Sequence, residues 1–217
     1  MRITKIESQK RKSGRKNVYI DGRFSMGIST EALLRVQLRT GDEITPELLR
    51  ELESVEELTK VRNTALRFLA HRSRTIHEVR QKLLKKKFPE KKIERILDDL
   101  QESGLLNDRQ FAEMYIRDQL TSRPTGRLLL KQKLRQLGVE KQLAEEVLDE
   151  IFQSVSQQDA VHRAAEKFLR TRAGRVKDPV AFRNRLAGFL ARRGFSWDDI
   201  TPVLKKIPGK STEEIPE

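Results

Sequence analysis

Apolar side chains recur at two different periods along this chain, every second residue before Ser29 and every third or fourth residue after it. Val18 and Ile20 alternate with polar neighbours, Asp21-Gly22 follows, and Phe24, Met26 and Ile28 resume the alternation. Asp-Gly between alternating runs supplies the positive φ of a type I′ turn, so residues 1–28 are predicted as a β-hairpin, with 2–8 available as a third strand. Residues 9–16 carry Lys10, Arg11, Lys12, Arg15 and Lys16 around Ser13-Gly14 and read as a basic loop. Helices take over after Ser29. One is predicted over 30–38, ending near Gly41, and another opens at Thr45-Pro46-Glu47, with Thr as N-cap and Pro at the first helical position.

The helical region repeats itself. With Phe88, Val139 and Phe195 as anchors, 51 and 56 residues apart, Leu83, Leu134 and Leu190 stand five residues before. Val79, Leu130 and Leu186 stand nine before, Leu97, Leu148 and Leu204 nine after, and Leu100, Ile151 and Ile207 twelve after. Ile93, Ala144 and Ile200 at plus five, and Ile96, Val147 and Val203 at plus eight, extend the match. Chance alignment of leucine-rich helices is the competing reading. It fails because the offsets continue across a helix break and a turn. Each unit therefore holds three short helices, the first matching more loosely over 64–70, 109–120 and 160–170, and the third unit carries extra residues, 172–178.

Before two anchors, Gly138 and Gly194 sit where a helix C-cap needs a left-handed residue. The first unit has Lys87 there, at a steric cost of about 1 kcal/mol, so its second helix is expected to end differently, helped by Pro89. The predicted fold class is mainly α: three tandem three-helix repeats stacked into an elongated, curved array, since a unit of this size buries little surface alone. The expected domains are a β-hairpin with helices over 1–59, repeats over 60–107, 108–155 and 156–207, and a flexible tail over 208–217.

Charge adds a partner class. Lys and Arg number 45 against 32 Asp and Glu, a net charge of +13, which points to a polyanion, nucleic acid before a membrane surface. Residues 60–95 carry 13 Lys/Arg against Glu78, Glu90 and Glu94, and residues 160–193 carry ten against Glu166 and Asp178. Residues 140–151 instead hold five acids against Lys141, suggesting that the middle unit's third helix faces a protein partner or salt-bridges to the next unit. A single lysine is best read as part of a solvated helix face; two large basic blocks that repel themselves ask for more. Most of the nine Phe fall on apolar positions, which disfavours a base-stacking platform.

Catalytic and metal patterns are missing from the sequence. Cysteine is absent, removing disulfides and thiolate chemistry and fitting a reducing cytoplasm. His77-Glu78-Val79-Arg80-Gln81 begins like a zinc-protease helix but has Gln where the second His must stand. His71 and His77 lie about 240° apart around a helix and share no ligand face. The N-terminus lacks the apolar stretch of a signal peptide, and no segment reaches the length of a membrane span. The expectation is a monomeric, cytoplasmic, non-enzymatic protein with no cofactor and no metal.

Three segments resemble the RecX family. Arg72-Ser73-Arg74-Thr75-Ile76-His77-Glu78-Val79-Arg80-Gln81-Lys82-Leu83 is similar to its arginine-serine, glutamate, lysine-leucine pattern. Gly104-Leu105-Leu106-Asn107-Asp108-Arg109-Gln110-Phe111-Ala112-Glu113-Met114-Tyr115 resembles its most specific signature, and Gly126-Arg127-Leu128 through Val139 the block that follows. The resemblance covers 60–207 well, and Lys87 departs from the family's small residue. It implies tandem three-helix units that bind in the groove of the RecA filament on single-stranded DNA and modulate its assembly, ATP hydrolysis and strand exchange, mostly as inhibitors. Asn107 and Asp108 also have a local reading as N-cap and first turn of the next helix, and Ser73 or Thr75 as cap of the second helix of the first unit. The candidate RecA or DNA contacts are Arg67, Arg72, Arg74, Arg127, Lys131, Arg163, Arg170 and Arg172. The alternative function is a helix-turn-helix-like general DNA-binding protein, and a third reading is a protein-binding helical scaffold.

Overall fold

Alternation at the N-terminus produces a three-stranded antiparallel sheet, β1 (Ile3–Ser8), β2 (Arg15–Ile20) and β3 (Arg23–Ser29), in the order β1-β2-β3. The computed structural model describes residues 1–9, 14–172 and 178–206, without the side chain of Arg172; Lys10, Arg11 and Lys12 of the basic loop, most of the third-unit insertion, Ile207 and the tail lie outside them. Asp21 and Gly22 both take positive φ, 48° and 79°, as the turn requires. The sheet's inner residues Ile3, Val18 and Ile28 pack with Ala32 of α1 (Thr30–Val36) and Leu52 of α2 (Pro46–Leu69). A buried carboxylate joins sheet and helix: Glu56 accepts the Ser29 backbone N–H at 2.8 Å and pairs with Arg15 at 2.9 Å.

Thr45 caps α2 and Pro46 opens it, as the sequence predicts. The helix then runs unbroken to Leu69, so the segment 64–70 is its last turns rather than a separate helix, and the expected boundary at 59/60 falls inside it. Beyond α2 come α3 (Ile76–Lys85) and α4 (Glu90–Glu102), then α5 (Asp108–Ser122), α6 (Arg127–Gln136), α7 (Lys141–Ser154), α8 (Gln157–Arg172), α9 (Pro179–Arg192) and α10 (Trp197–Lys205). The chain forms two compact units, Met1–Ser73 with Val79–Leu105, and Arg74–Glu78 with the chain from Leu106 on.

Apart from the half-buried anchor Phe88, the described residues of the repeat register are core or pack on it. Leu83, Leu134 and Leu190 are each 0% exposed. Ile93, Ala144, Ile200, Ile96, Val147 and Val203 are likewise buried, while Leu204 is partly buried against its cluster. The turn before each anchor is the same in all three repeats. Lys87 takes φ 60°, beside 84° for Gly138 and 81° for Gly194. Phe88, Val139 and Phe195 each donate to the carbonyl five residues back, on Leu83, Leu134 and Leu190. The first unit therefore does not end its second helix differently; the need to satisfy the last carbonyls outweighs the cost of a Cβ at positive φ. Pro89 instead stands as N-cap of α4. Among the described residues no helix is long and apolar enough to cross a membrane.

Candidate functional site

The predicted cations fall into two chemical situations. In the middle repeat, α6 and α7 zip together. Arg127 pairs with Asp149 at 2.7 Å and, one helical turn on, Lys131 pairs with Glu145 at 2.7 Å. Both carboxylates and both cations are four residues apart, so each helix presents its pair on one face. On the other side of α7, Arg109 of α5 reaches Glu150 at 3.1 Å and Glu146 at 3.6 Å. The hydrogen bond from Lys131 holds the Glu145 carboxyl below its ordinary range. The acids of α7 therefore meet the cations of their own repeat, not those of the next one.

Arg163 and Arg170 lie two turns apart on α8, exposed, with Lys167 between them at the same helical face. The opposite face, with Ala160, Val161, Ala164, Ala165 and Phe168, is core. Among the described residues Arg163, Lys167 and Arg170 have no ion-pair partner. Arg172 closes α8, and its side chain is outside the described residues. In the first unit, Arg67 is exposed in the last turn of α2, also without an ion-pair partner among the described residues. Arg72 is exposed and donates to the Ser73 carbonyl at 2.9 Å. Arg74, in the second unit, is half-buried and pairs with Glu78 at 3.2 Å. Lys167 was missed from the sequence although its spacing, four after Arg163 and three before Arg170, signals it.

The family-like segment at 106–108 is built into the fold. Leu106 is 2% exposed. Asn107 caps α5, accepting the Gln110 N–H at 3.1 Å. Asp108 accepts the N–H of Ile76, the first residue of α3, at 2.9 Å, and burial raises its carboxyl above the ordinary range. Thr75, not Ser73, caps α3: its hydroxyl accepts from Glu78 N–H at 3.1 Å while Glu78 accepts from Thr75 N–H at 3.3 Å. No group of three or more His, Asp or Glu able to hold a metal occurs among the described residues.

Four consecutive family models match the chain. They are the regulatory protein RecX N-terminal domain over residues 1–45 and the first, second and third RecX three-helix domains over 62–100, 107–148 and 156–204. The regulatory protein RecX of Clostridium tetani (strain Massachusetts / E88) is 32% identical over 206 residues, covering 95% of this chain and 94% of that one. The regulatory protein RecX of Clostridium acetobutylicum is 31% identical, over 94% and 95% of the two chains. A crystal structure of regulatory protein RecX superposes with a TM-score of 0.75 at 25% identity, covering 95% of this chain and 99% of that one. RecX from Lactobacillus salivarius gives 0.61 at 27% identity, covering 69% and 96%. Three like-built helical units following a small sheet in sequence, matched over 95% of the chain, show that this chain belongs to the RecX family of regulatory proteins.

Proposed function

We propose that this chain is a non-catalytic regulator, mostly an inhibitor, of the RecA recombinase. It binds in the groove of the RecA filament on single-stranded DNA, as a cytoplasmic monomer, and modulates filament assembly, ATP hydrolysis and strand exchange. The observation that carries this reading is the family match over nearly the whole chain and nearly the whole of its relatives. The exposed cations support it: Arg163, Lys167 and Arg170 form one solvent-facing stripe in a chain of net charge +13. Such a stripe suits the carboxylates or phosphates of a nucleoprotein polymer.

Direct DNA binding is the second reading, favoured by the same stripe. Co-sedimentation with bare single-stranded DNA and with RecA-coated DNA separates the two. The filament reading expects retention on the coated DNA at salt concentrations that strip the protein from bare DNA. Equal retention on both, falling together steeply with salt, would instead indicate a plain DNA-binding protein.

A further inference from the structure

Two links in the second unit repeat at one register. Thr75 and Gly126 are equivalent positions, 51 residues apart, and Leu137 and Arg193 are equivalent, 56 apart. The Thr75 hydroxyl donates to the Leu137 carbonyl at 2.6 Å, and the Gly126 N–H donates to the Arg193 carbonyl at 2.8 Å. The next residues, Ile76 and Arg127, are also equivalent. Ile76 N–H donates to the side chain of Asp108, the first residue of α5, at 2.9 Å; Arg127 N–H donates to the side chain of Gln157, the first residue of α8, at 3.3 Å.

The Ile76, Gly126 and Arg127 N–H groups and the Leu137 and Arg193 carbonyls are backbone groups that a helix leaves unpaired at its ends. The first amide of a repeat's second helix is satisfied by the first side chain of the following repeat's first helix, and the residue before it donates to the carbonyl before that repeat's turn, through a hydroxyl at Thr75 and an N–H at Gly126. The fit at the later joint is close. Leu128 N–H also donates, to the Gly194 carbonyl at 3.1 Å, and a Cβ on Gly126 would lie 2.2 Å from that oxygen. In the third repeat the start of the second helix is closed locally: Asp178 caps α9 with its own carboxylate, accepting from Val180 and Ala181 at 3.0 and 3.1 Å.

We propose that Asp108 and Gln157 are positioning residues of a single inter-repeat joint used twice, which fixes the register in which successive helices are presented. The functional consequence rests on the filament-binding reading; the joint itself does not. The test uses the full chain and two measurements. Native-state amide exchange should show Arg127 and Leu128 protected, although they open a helix, and Gln157→Leu should abolish protection of Arg127 while the amides within α6 and α9 stay protected. Exchange of Arg127 at the free-peptide rate in the unsubstituted chain would overturn the joint. Asp108→Ala combined with Gln157→Leu should raise the concentration that half-suppresses RecA ATP hydrolysis by about tenfold or more. Asp108→Asn with Gln157→Glu, which keep an acceptor oxygen at both places, should restore it. Unchanged suppression by the first pair, with exchange protection lost, would overturn the positioning role. If the unsubstituted chain leaves RecA unaffected, the filament reading fails and the exchange result alone decides the joint.

Discussion

Lys87 shows how much one backbone conformation weighs against its neighbours. It sits at φ 60° in the same hydrogen-bonded turn that glycine fills twice elsewhere. Replacing it with Gly relieves a steric cost of about 1 kcal/mol, so Lys87→Gly is expected to raise the melting temperature. Gly138→Ala is expected to lower it, because the added Cβ would lie 2.3 Å from the His77 Cβ. Asp108 carries a pH dependence. Burial raises its pKa above 3.8, so folding favours its protonated form, and its contribution to stability falls as pH rises through the range above that value. Asp108→Asn keeps an acceptor for Ile76 N–H and does not titrate. Melts at pH 7 and pH 4 should therefore show the unsubstituted chain gaining on Asp108→Asn upon acidification; a constant difference contradicts the burial argument. The 106–108 segment was legible as a cap, but its long reach to α3 was not, since sequence spacing shows only local partners.

The repeat register suggests a fresh helix start near 60, yet α2 runs through that point. No Gly or Pro stands between 47 and 69, and Leu58, Val61 and Ala65 continue the buried stripe, so nothing breaks the helix. The repeat cores, by contrast, were legible position by position, because burial imposes the same apolar offsets on each copy. Leu134 is 0% exposed in the middle core, and Leu134→Ala is expected to cost about 2–5 kcal/mol in a denaturant melt. The pairing of α6 with α7 was not legible, since composition gives the signs of charges and not their directions. The Arg127–Asp149 pair is part-exposed, so a double-mutant cycle should give about 0.2–1 kcal/mol, less at high salt. Neutralising Glu145 and Asp149 together frees Arg127 and Lys131. The variant should bind single-stranded DNA more tightly, with a salt slope steeper by roughly one to two. An unchanged slope would mean that α6 takes no part in anion binding.

For the molecule as a whole, the net charge of +13 describes its surface poorly. The middle repeat consumes cations on its own acidic helix, while Arg163, Lys167 and Arg170 of α8 and Arg67 of α2 are open to solvent. Among the predicted contacts, Arg67, Arg163 and Arg170 are thus exposed and without an ion-pair partner among the described residues, and Lys167 joins them. Reversing Arg163, Lys167 and Arg170 to Glu should weaken regulation without lowering the melting temperature appreciably, because none of the three packs in the core. The most direct test is the steady-state ATP hydrolysis of RecA on single-stranded DNA with this protein added in increasing amounts. Hydrolysis is expected to fall as the protein is added, and to fall distinctly less with the triply reversed variant; hydrolysis unaffected by the unsubstituted protein, or lowered equally by both, would contradict the assignment of these cations to RecA regulation.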